Sequence, residues 1–272
     1  MFNYFENIRN VLKTIDNPLK KSENLSKKEK LEKEFWDRQA ENYLQNFDED
    51  LFRYDENELF PPRHKYFYSL LENIQCKKIL DICCGYGFTT VKCAKLGAYV
   101  TGIDISPKMI KLVKKNLEFN NVSEYVDLKL MSAEKMSFGS NLFDYVVGIG
   151  ALHHLNLELA GKEILRVLKV GGKAIFLEPK LPFKWFMIFR SLIPIRCFES
   201  PGGGSLDDND IYKFRRLFTD SEIHYFLFLR KIFRIPILRR FEFKSDEIDS
   251  FFINKSPISR KLCWAFVLES TK

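Results

Sequence analysis

The chain has 272 residues, of which 46% are hydrophobic, and a formal net charge of +7. This length and apolar content suffice for one sizeable core with an appended region. The six cysteines show neither the paired spacing of metal ligands nor a disulfide pattern, which argues against a metal site and a disulfide-stapled secreted domain and favours buried, reduced thiols. The first residues lack the continuous apolar segment of a signal peptide, so we expect a cytoplasmic protein.

The N-terminal part of the chain is predicted to be helical. Residues 1–24 read as a short helix and a polar linker. Ser26 and Glu29 have the spacing of a capping box, which starts a helix, and we expect that helix over about 27–47. Its predicted apolar face consists of Leu31, Phe35, Leu44 and Phe47.

Residues 79–87, ILDICCGYG, read as a strand that leads into a tight glycine turn. Gly85 and Gly87 can adopt backbone angles closed to other residues, so a ligand can contact the main chain there. The helix expected from about Phe88 points its N-terminal amides towards the same turn. A second strand, YVTGID, ends at Asp104, where a carboxylate is well placed to bind both hydroxyls of a ribose. The pattern therefore predicts a nucleoside site.

The turn also distinguishes between classes of nucleoside cofactor. The dinucleotide fingerprint requires a third glycine, and Thr90 stands in its place in the segment GYGFTT. Asp81 would repel a pyrophosphate but suits a ligand that carries an ammonium group. Both residues disfavour an NAD-type oxidoreductase, which is the alternative enzyme class.

The segment from Asp81 to Gly87 resembles motif I of the class I S-adenosylmethionine-dependent methyltransferases, in which an acidic and a variable residue precede G-C/S/T-G-x-G. Cys83 stands in place of the first glycine of that motif. Three later segments resemble the remaining motifs in order and spacing, so the resemblance covers roughly residues 35–180. They are LMSAEKMSF (130–138), FDYVVGIGALHHL (143–155) and ILRVLKVGGKAIFLEP (164–179). The resemblance implies methyl transfer, with S-adenosylmethionine as the cofactor.

The resemblance further implies which residues hold that cofactor. Asp104 would bind the ribose, and Ile105 would lie against the adenine ring. Ser132 departs from the family pattern, since many members carry Asp there. The full set of implied cofactor-binding residues is Asp81, Cys83, Gly85 and Gly87 in the turn, Asp104 and Ile105 after the second strand, Ser132, Ala133 and Glu134 at the adenine edge, Gly148 and Ile149 near the methionine portion, and Tyr43 near its carboxylate.

Strands alternate with helices from residue 77 to residue 180, which predicts an α/β fold with a doubly wound, mostly parallel sheet. The resemblance implies the seven-stranded, Rossmann-like sheet of the methyltransferases, with an N-terminal helical cover and a helical insertion before the last strands. We therefore expect a cofactor-binding core over 25–180 and an acceptor-binding helical insertion over 181–260. Residues 261–272 should form a final core strand, one half of an antiparallel pair.

His153 and His154 are the candidate catalytic residues, because they follow the fourth predicted strand on the side where such sheets bind ligands. A neutral imidazole is a suitable base for an acceptor hydroxyl. Of the two, His153 is the stronger candidate, and packing or helix capping is the alternative role for His154. Glu178, at the end of the fifth strand, is expected either to face the pocket or to bond a neighbouring loop.

The region 181–260 is expected to select the acceptor. Residues 181–198 are apolar and aromatic but too interrupted by basic residues and proline to span a bilayer, which needs about 20 mainly apolar residues. Residues 211–244 hold nine basic residues against three acidic ones, interleaved with seven phenylalanines. Amphipathic helices with a solvated basic face account for this mixture, and an anionic lipid surface, a nucleic acid or an acidic substrate also fits the charge.

We expect the acceptor to be a small hydrophobic or amphiphilic molecule, including a lipid-like one. Nucleic acid is the weaker expectation, since no recognised nucleic-acid-binding module accompanies the basic residues. Peripheral membrane contact stays open, as does a non-catalytic or membrane-associated binding module on the same fold. The acceptor atom and the oligomeric state do not follow from these patterns.

Overall fold

The computed structural model describes residues 25–57, 60–71, 73–181, 200–227, 253 and 257–272. Three predictions concern segments outside the described residues: the N-terminal helix and linker over 1–24, the apolar segment over 182–198, and the basic, aromatic segment beyond residue 227.

The first described helix, α1 (Lys27–Gln45), begins at the predicted capping box. The backbone N–H of Glu29 donates to Oγ of Ser26 at 3.2 Å, and the N–H of Ser26 donates to Oε2 of Glu29 at 2.8 Å. Both bonds satisfy donors that the helix itself leaves free. Two short helices follow, α2 (Glu49–Phe52) and α3 (Pro62–Ser69).

The core then alternates strands and helices, as the sequence predicts. The elements are β1 (Lys78–Ile82), α4 (Phe88–Lys95), β2 (Tyr99–Asp104), α5 (Pro107–Phe119), β3 (Val126–Leu130), β4 (Phe143–Ile149), α6 (Leu157–Val167), β5 (Leu168–Pro179), α7 (Asp208–Arg215), β6 (Asp220–Phe226), α8 (Pro257–Lys261) and β7 (Ala265–Thr271). Strand β5 begins directly after α6 and runs through the Gly171–Gly172 pair.

The seven strands form one sheet in the order β3-β2-β1-β4-β5-β7-β6. The pairs from β3 to β5 are parallel, and β7 is antiparallel to both β5 and β6. This confirms the predicted mostly parallel, seven-stranded sheet and the antiparallel pair at its end. The order reverses between β1 and β4, and a ligand crevice forms at such a switch point.

Helices cover both faces of the sheet. Successive residues of each central strand point to opposite faces, and in these strands the apolar residues on both faces are buried. Ile79 and Val147 pack with α3, α4 and α5 on one face. Their neighbours Leu80 and Val146 pack with α6 and α7 on the other. The two buried clusters thus hold the strands in register.

The buried face of α1 differs from the predicted one. Leu31 is 42% exposed, whereas Glu29, Glu32 and Ala40 are buried. Two of the four predicted apolar residues, Leu44 and Phe47, do pack inwards. The difference arises because the N-terminal half of the helix lies over polar groups of the loops after β3 and β4 and of residues 200–202, rather than over the apolar core.

Within the range 181–260, residues 200–227 contain one helix and one strand of the sheet. Helix α7 packs Ile211 and Phe214 into the main core, and β6 pairs with β7 along seven residues. Residues 200–227 are therefore part of the core. Within the described residues, none of the helices has the length and apolar character needed to cross a membrane.

Candidate active site

A cavity of about 520 Å³ lies at the carboxyl ends of β1, β2 and β4, beside the point where the strand order reverses. One wall comes from the turn after β1, from the ends of β2 and β3, and from the segment after β4. The helices α1 to α4, the segment between α2 and α3, and Asn116 of α5 form the rest. Nine of the predicted site residues line it: Asp81, Cys83, Gly85, Asp104, Ile105, Ser132, Ala133, Ile149 and His154.

The turn after β1 has the backbone geometry that its glycines predict, with one departure. Gly85 and Gly87 have φ angles of 52° and 82°, which glycine adopts without strain. Cys83 also lies in the left-handed region, at φ 50°, where a side chain costs about 1–2 kcal/mol. The cysteine thus keeps the conformation that a glycine would take at the first position of the turn.

Gly87 contributes to helix packing. It is the N-cap of α4, and a Cβ atom at this position would lie 2.8 Å from Cγ1 of Val113 on α5. Gly87 is not among the residues that line the cavity. Because Gly87 has no side chain, α4 and α5 can approach each other closely beside the cavity.

Two buried carboxylates, Asp81 and Asp104, face the cavity. Oγ1 of Thr90 donates to Asp81 at 2.6 Å, so the residue at the missing third glycine position orients the acidic group of the turn. Asp104 accepts from the N–H of Gly85 at 3.1 Å and from the N–H of Ser106 at 2.9 Å. Within the described part of the chain, no basic side chain forms an ion pair with either carboxylate.

Burial controls the protonation of this pair. It raises the pKa of Asp81 to about 7, against the opposing hydrogen bond from Thr90, and raises the pKa of Asp104 to about 6, against its backbone hydrogen bonds. A ligand cation near Asp81 would favour its charged form. The carboxylates therefore fit a nucleoside cofactor that carries an ammonium group.

Helix α1 contacts the Ser132 side of the cavity through residues that sequence reasoning missed as site residues. Oγ of Ser132 donates to Glu29, which also closes the capping box of α1. Asp37 fastens the helix, because its Oδ1 accepts from Oγ of Ser106 at 2.6 Å and from the N–H of Lys108 at 3.2 Å. A carboxylate at the N-terminus of α5 is favoured by the helix dipole.

Glu32 of α1 connects three segments at the other side of the cavity. Its Oε1 accepts from Oγ of Ser200 and from the N–H of Gly202, both at 2.7 Å, and its Oε2 lies 3.3 Å from Nδ1 of His154. Burial alone would raise the pKa of Glu32, but the hydrogen bonds from His154, Ser200 and Gly202 lower it to about 2. Trp36 donates to the same carboxylate and packs its ring edge against His154.

The two histidines after β4 have different environments. Nδ1 of His153 lies 2.8 Å from Oε2 of Glu178, whose Oε1 accepts from the N–H groups of Ala151 and Leu152. Glu178 thus bonds the neighbouring loop, one of its two predicted roles. His154 lines the cavity, whereas His153 lies behind Gly150 and is not part of the wall. Of the two candidates, the structure thus places His154, and not the stronger sequence candidate His153, on the cavity wall.

Three further predicted contacts lie outside the cavity wall. Tyr43 packs edge-to-face on Phe52 and Tyr86. Glu134 accepts from the N–H of Asn156 at 2.7 Å. Gly148 permits close strand packing, since a Cβ there would lie 2.9 Å from Cβ of Ala151.

The part of the wall that the sequence motifs did not indicate is aromatic. We call it the aromatic lobe, and it consists of Phe52, Tyr54, Phe60, Tyr68 and Phe88. These side chains come from α2, from the segment before α3, from α3 and from the start of α4. The sequence shows each as an isolated aromatic residue, and the chain topology alone brings them together.

The chain matches a protein family described as "Methyltransferase domain" over residues 80–176, which run from β1 to β5. It is 33% identical over 187 residues to the demethylmenaquinone methyltransferase of Staphylococcus aureus, and that match covers 65% of this chain and 68% of the relative. It is 35% identical to the demethylmenaquinone methyltransferase of Chlorobaculum parvum over 43% of this chain and 49% of that one. The chain thus spans about half the length of several curated relatives that it matches.

The fold is also similar to that of geranyl diphosphate C-methyltransferase from Streptomyces coelicolor A3(2), solved with Mg²⁺, geranyl diphosphate and S-adenosyl-L-homocysteine. The TM-score is 0.55 over 76% of this chain and 77% of that one, with 13% identity. The sheet order, the turn after β1 with its two carboxylates, and the match to the methyltransferase family all agree. The chain therefore belongs to the class I S-adenosylmethionine-dependent methyltransferase superfamily, and S-adenosylmethionine is its cofactor.

Proposed function

We propose that this protein transfers the methyl group of S-adenosylmethionine to a small hydrophobic or amphiphilic acceptor. The observation that carries the proposal is the aromatic lobe, an apolar part of the cavity wall that the cofactor motifs do not include. A cavity wall of this kind favours apolar ligands, because its surface gains free energy when water leaves it.

The cofactor supplies, when bound, a methyl group on a sulfonium that is already activated for displacement. The protein then has to bind, orient and exclude water. In this proposal Asp81 faces the ammonium group, Asp104 takes the ribose hydroxyls, and Ile105 packs against adenine. Ser132 and Glu29 together offer oxygen atoms to the adenine edge.

An acceptor hydroxyl would also need a base. His154 supports this role better than His153, because it lines the cavity and its Nδ1 is engaged by Ser200 at 3.0 Å and by Glu32. This arrangement leaves Nε2 of His154 to take a proton, while the Glu32 carboxylate stabilises the resulting imidazolium.

The relatives suggest the first acceptor to test. The two described above are named demethylmenaquinone methyltransferases, and a reduced demethylmenaquinone is an apolar ring with hydroxyl groups. An acceptor of that class combines a surface for the aromatic lobe with a proton for His154. We therefore propose a hydroxylated, apolar ring system as the acceptor class.

The test is incubation with methyl-labelled S-adenosylmethionine and either demethylmenaquinol, a sterol or phosphoethanolamine as a polar control, followed by mass spectrometry of the labelled product. We expect label in an apolar product only, and less of it with Asp104→Ala at subsaturating cofactor, because this variant should bind the cofactor more weakly by about 1–3 kcal/mol. Label in phosphoethanolamine alone would overturn the acceptor class. Calorimetric binding of the cofactor without transfer to any acceptor or cell extract would favour the non-catalytic binding module.

Membrane contact is a separate proposal, supported by the basic and aromatic composition of residues 211–244. Co-sedimentation with anionic liposomes should then be lost in the double variant Arg239→Glu, Arg240→Glu and should fall as salt rises. Equal sedimentation of both proteins would show that these arginines do not bind lipid.

A further inference from the structure

Lys92 of α4 lies at the wall of the cavity, inside a group of aromatic rings. Its Nζ is 4.8 Å from the ring centroid of Phe60, 5.0 Å from that of Tyr68 and 5.4 Å from that of Tyr54. Ring faces attract a cation through their quadrupole. The three rings thus hold the ammonium group next to the cavity.

The rings leave the hydrogen-bonding capacity of Lys92 unused. An ammonium group has three N–H donors and needs acceptors for them, and aromatic faces supply none of ordinary strength. Among the residues that the structure describes, none forms an ion pair or a hydrogen bond with Nζ of Lys92. A ligand with an anionic oxygen in the cavity would satisfy both the charge and the donors.

The other basic groups of the cavity wall do not meet this description. The side chain of Arg53 is 61% exposed and lies over Phe119, outside the aromatic group. His64 is uncharged near neutral pH, since burial and then the charge of Arg63 lower its pKa to about 4. His154 is already bonded to Glu32. Among the described residues of the cavity wall, Lys92 is therefore the cation that is available to bind an anion.

The cofactor has a carboxylate to match. Its amino-acid end is a zwitterion, and an ammonium group beside Asp81 brings the α-carboxylate within the same part of the cavity. Asp81 and Lys92 both line this cavity. Oη of Tyr68, one of the rings around Lys92, lies 3.5 Å from Oγ1 of Thr89, the neighbour of the Thr90 that donates to Asp81. We propose that Lys92, held by Tyr54, Phe60 and Tyr68, binds the α-carboxylate of S-adenosylmethionine.

An anionic substituent on the acceptor is the other source of a carboxylate at this position. A binding experiment without any acceptor distinguishes the two sources. It compares S-adenosylhomocysteine with 5′-methylthioadenosine, which lacks the amino-acid end. The inference rests on the cofactor alone, so the experiment can succeed or fail independently of the proposed acceptor.

The experiment is calorimetric titration of both ligands into the wild type and three variants. Lys92→Met keeps the apolar stem in the aromatic group but removes the charge, and Lys92→Arg restores it. Lys95→Met is the matched control, because Lys95 is exposed, lies 5.9 Å from the ring of Tyr54 and is not part of the cavity wall. Thermal unfolding of each unliganded protein verifies that it folds.

We expect Lys92→Met to weaken S-adenosylhomocysteine binding by about 10- to 100-fold, the scale of a charged hydrogen bond, with 5′-methylthioadenosine unchanged. Lys92→Arg should recover most of the affinity, and Lys95→Met should resemble the wild type. Equal weakening of both ligands would overturn the proposal in favour of a packing role. If Lys92→Met binds S-adenosylhomocysteine as the wild type does, the proposal is also overturned. A raised KM of that variant for the acceptor would then assign the subsite to the acceptor.

Discussion

The carboxylate of Glu32 on α1 lies 3.3 Å from Nδ1 of His154 in the turn after β4. This contact joins the N-terminal cover to the segment that lines the cavity. The same carboxylate bonds Ser200 and Gly202, so a single buried charge ties together three parts of the chain that are distant in sequence. Its protonation should therefore change the stability of the folded protein.

Glu32→Gln should remove a stabilisation that depends on pH. The folded pKa of Glu32 is lowered to about 2 from an ordinary value of 4.5, so its contribution is complete above pH 4.5 and is lost as pH falls towards 2. The difference in unfolding free energy between the wild type and Glu32→Gln, measured by urea denaturation, should shrink over that range. Glu41→Gln, at an exposed position of the same helix, is the control. A difference that stays constant with pH would contradict the linkage.

Cofactor affinity should increase as pH rises through about 7. Burial raises the pKa of Asp81 to about 7, so in the free protein this group is half protonated near neutrality, and a ligand ammonium group binds the ionised form better. The same shift means that the unliganded protein loses stability as pH rises through that value. Asp81→Asn should bind S-adenosylhomocysteine more weakly and lose the change between pH 6 and 8, measured by calorimetry.

A ligand without the ammonium group provides the control for this effect. The affinity of 5′-methylthioadenosine should show no dependence on Asp81 between pH 6 and 8. A remaining change near pH 6 has a separate origin, since Asp104 has a pKa of about 6. The same pH dependence for Asp81→Asn and the wild type would remove Asp81 from the ammonium site.

The neighbouring residues Cys83 and Cys84 should respond in opposite ways to replacement by glycine. Cys83 has φ 50°, so Cys83→Gly relieves backbone strain and should leave stability unchanged or raise it by up to about 1 kcal/mol. Cys84 is buried without such strain, and Cys84→Gly should cost about 1–3 kcal/mol through lost burial and added chain entropy. Urea denaturation of both variants provides the comparison. A larger loss for Cys83→Gly than for Cys84→Gly would contradict the strain assignment.

His154→Ala should lower kcat by about 10²–10⁴-fold if the acceptor must lose a proton, which is the range of general base catalysis. His153→Ala should have a smaller effect on kcat but lower the melting temperature, because it leaves Glu178 without its side-chain partner. Single-turnover rates over a range of pH distinguish the two, since the loss of a base removes the acidic limb of the profile. An intact rate in both variants would show that neither histidine acts as the base.

Much of the fold follows from local patterns. Consecutive apolar residues such as Ile79 and Leu80 point to opposite faces of a strand, so they predict a sheet that is covered on both faces. Ser26 with Glu29 predicts the start of α1. The turn after β1 and Asp104 predict the nucleoside end of the cavity, since these residues are close in sequence to the strands that position them. Local spacing is sufficient for each of these features.

The remainder of the site depends on contacts between distant segments. Glu29 and Glu32 read as solvent-facing residues of a helix, because nothing in their sequence neighbourhood shows that Ser132 and Ser200 lie opposite. Tyr54, Phe60 and Tyr68 surround Lys92 only after three segments have packed together. Buried polar pairs of this kind are specified by topology, which periodicity does not report.

The position of β7 between β5 and β6 has a consequence for the order in which the protein folds. β6 pairs with β7 and not with β5, so after its synthesis it has no partner strand until residues 265–271 have also been made. The parallel strands from β1 to β5 can assemble first, because each of them pairs with a strand that has already been synthesised or that follows soon after it. During translation the edge of β5 stays unpaired for the time needed to make the intervening residues, and an unpaired edge is a site where chains aggregate.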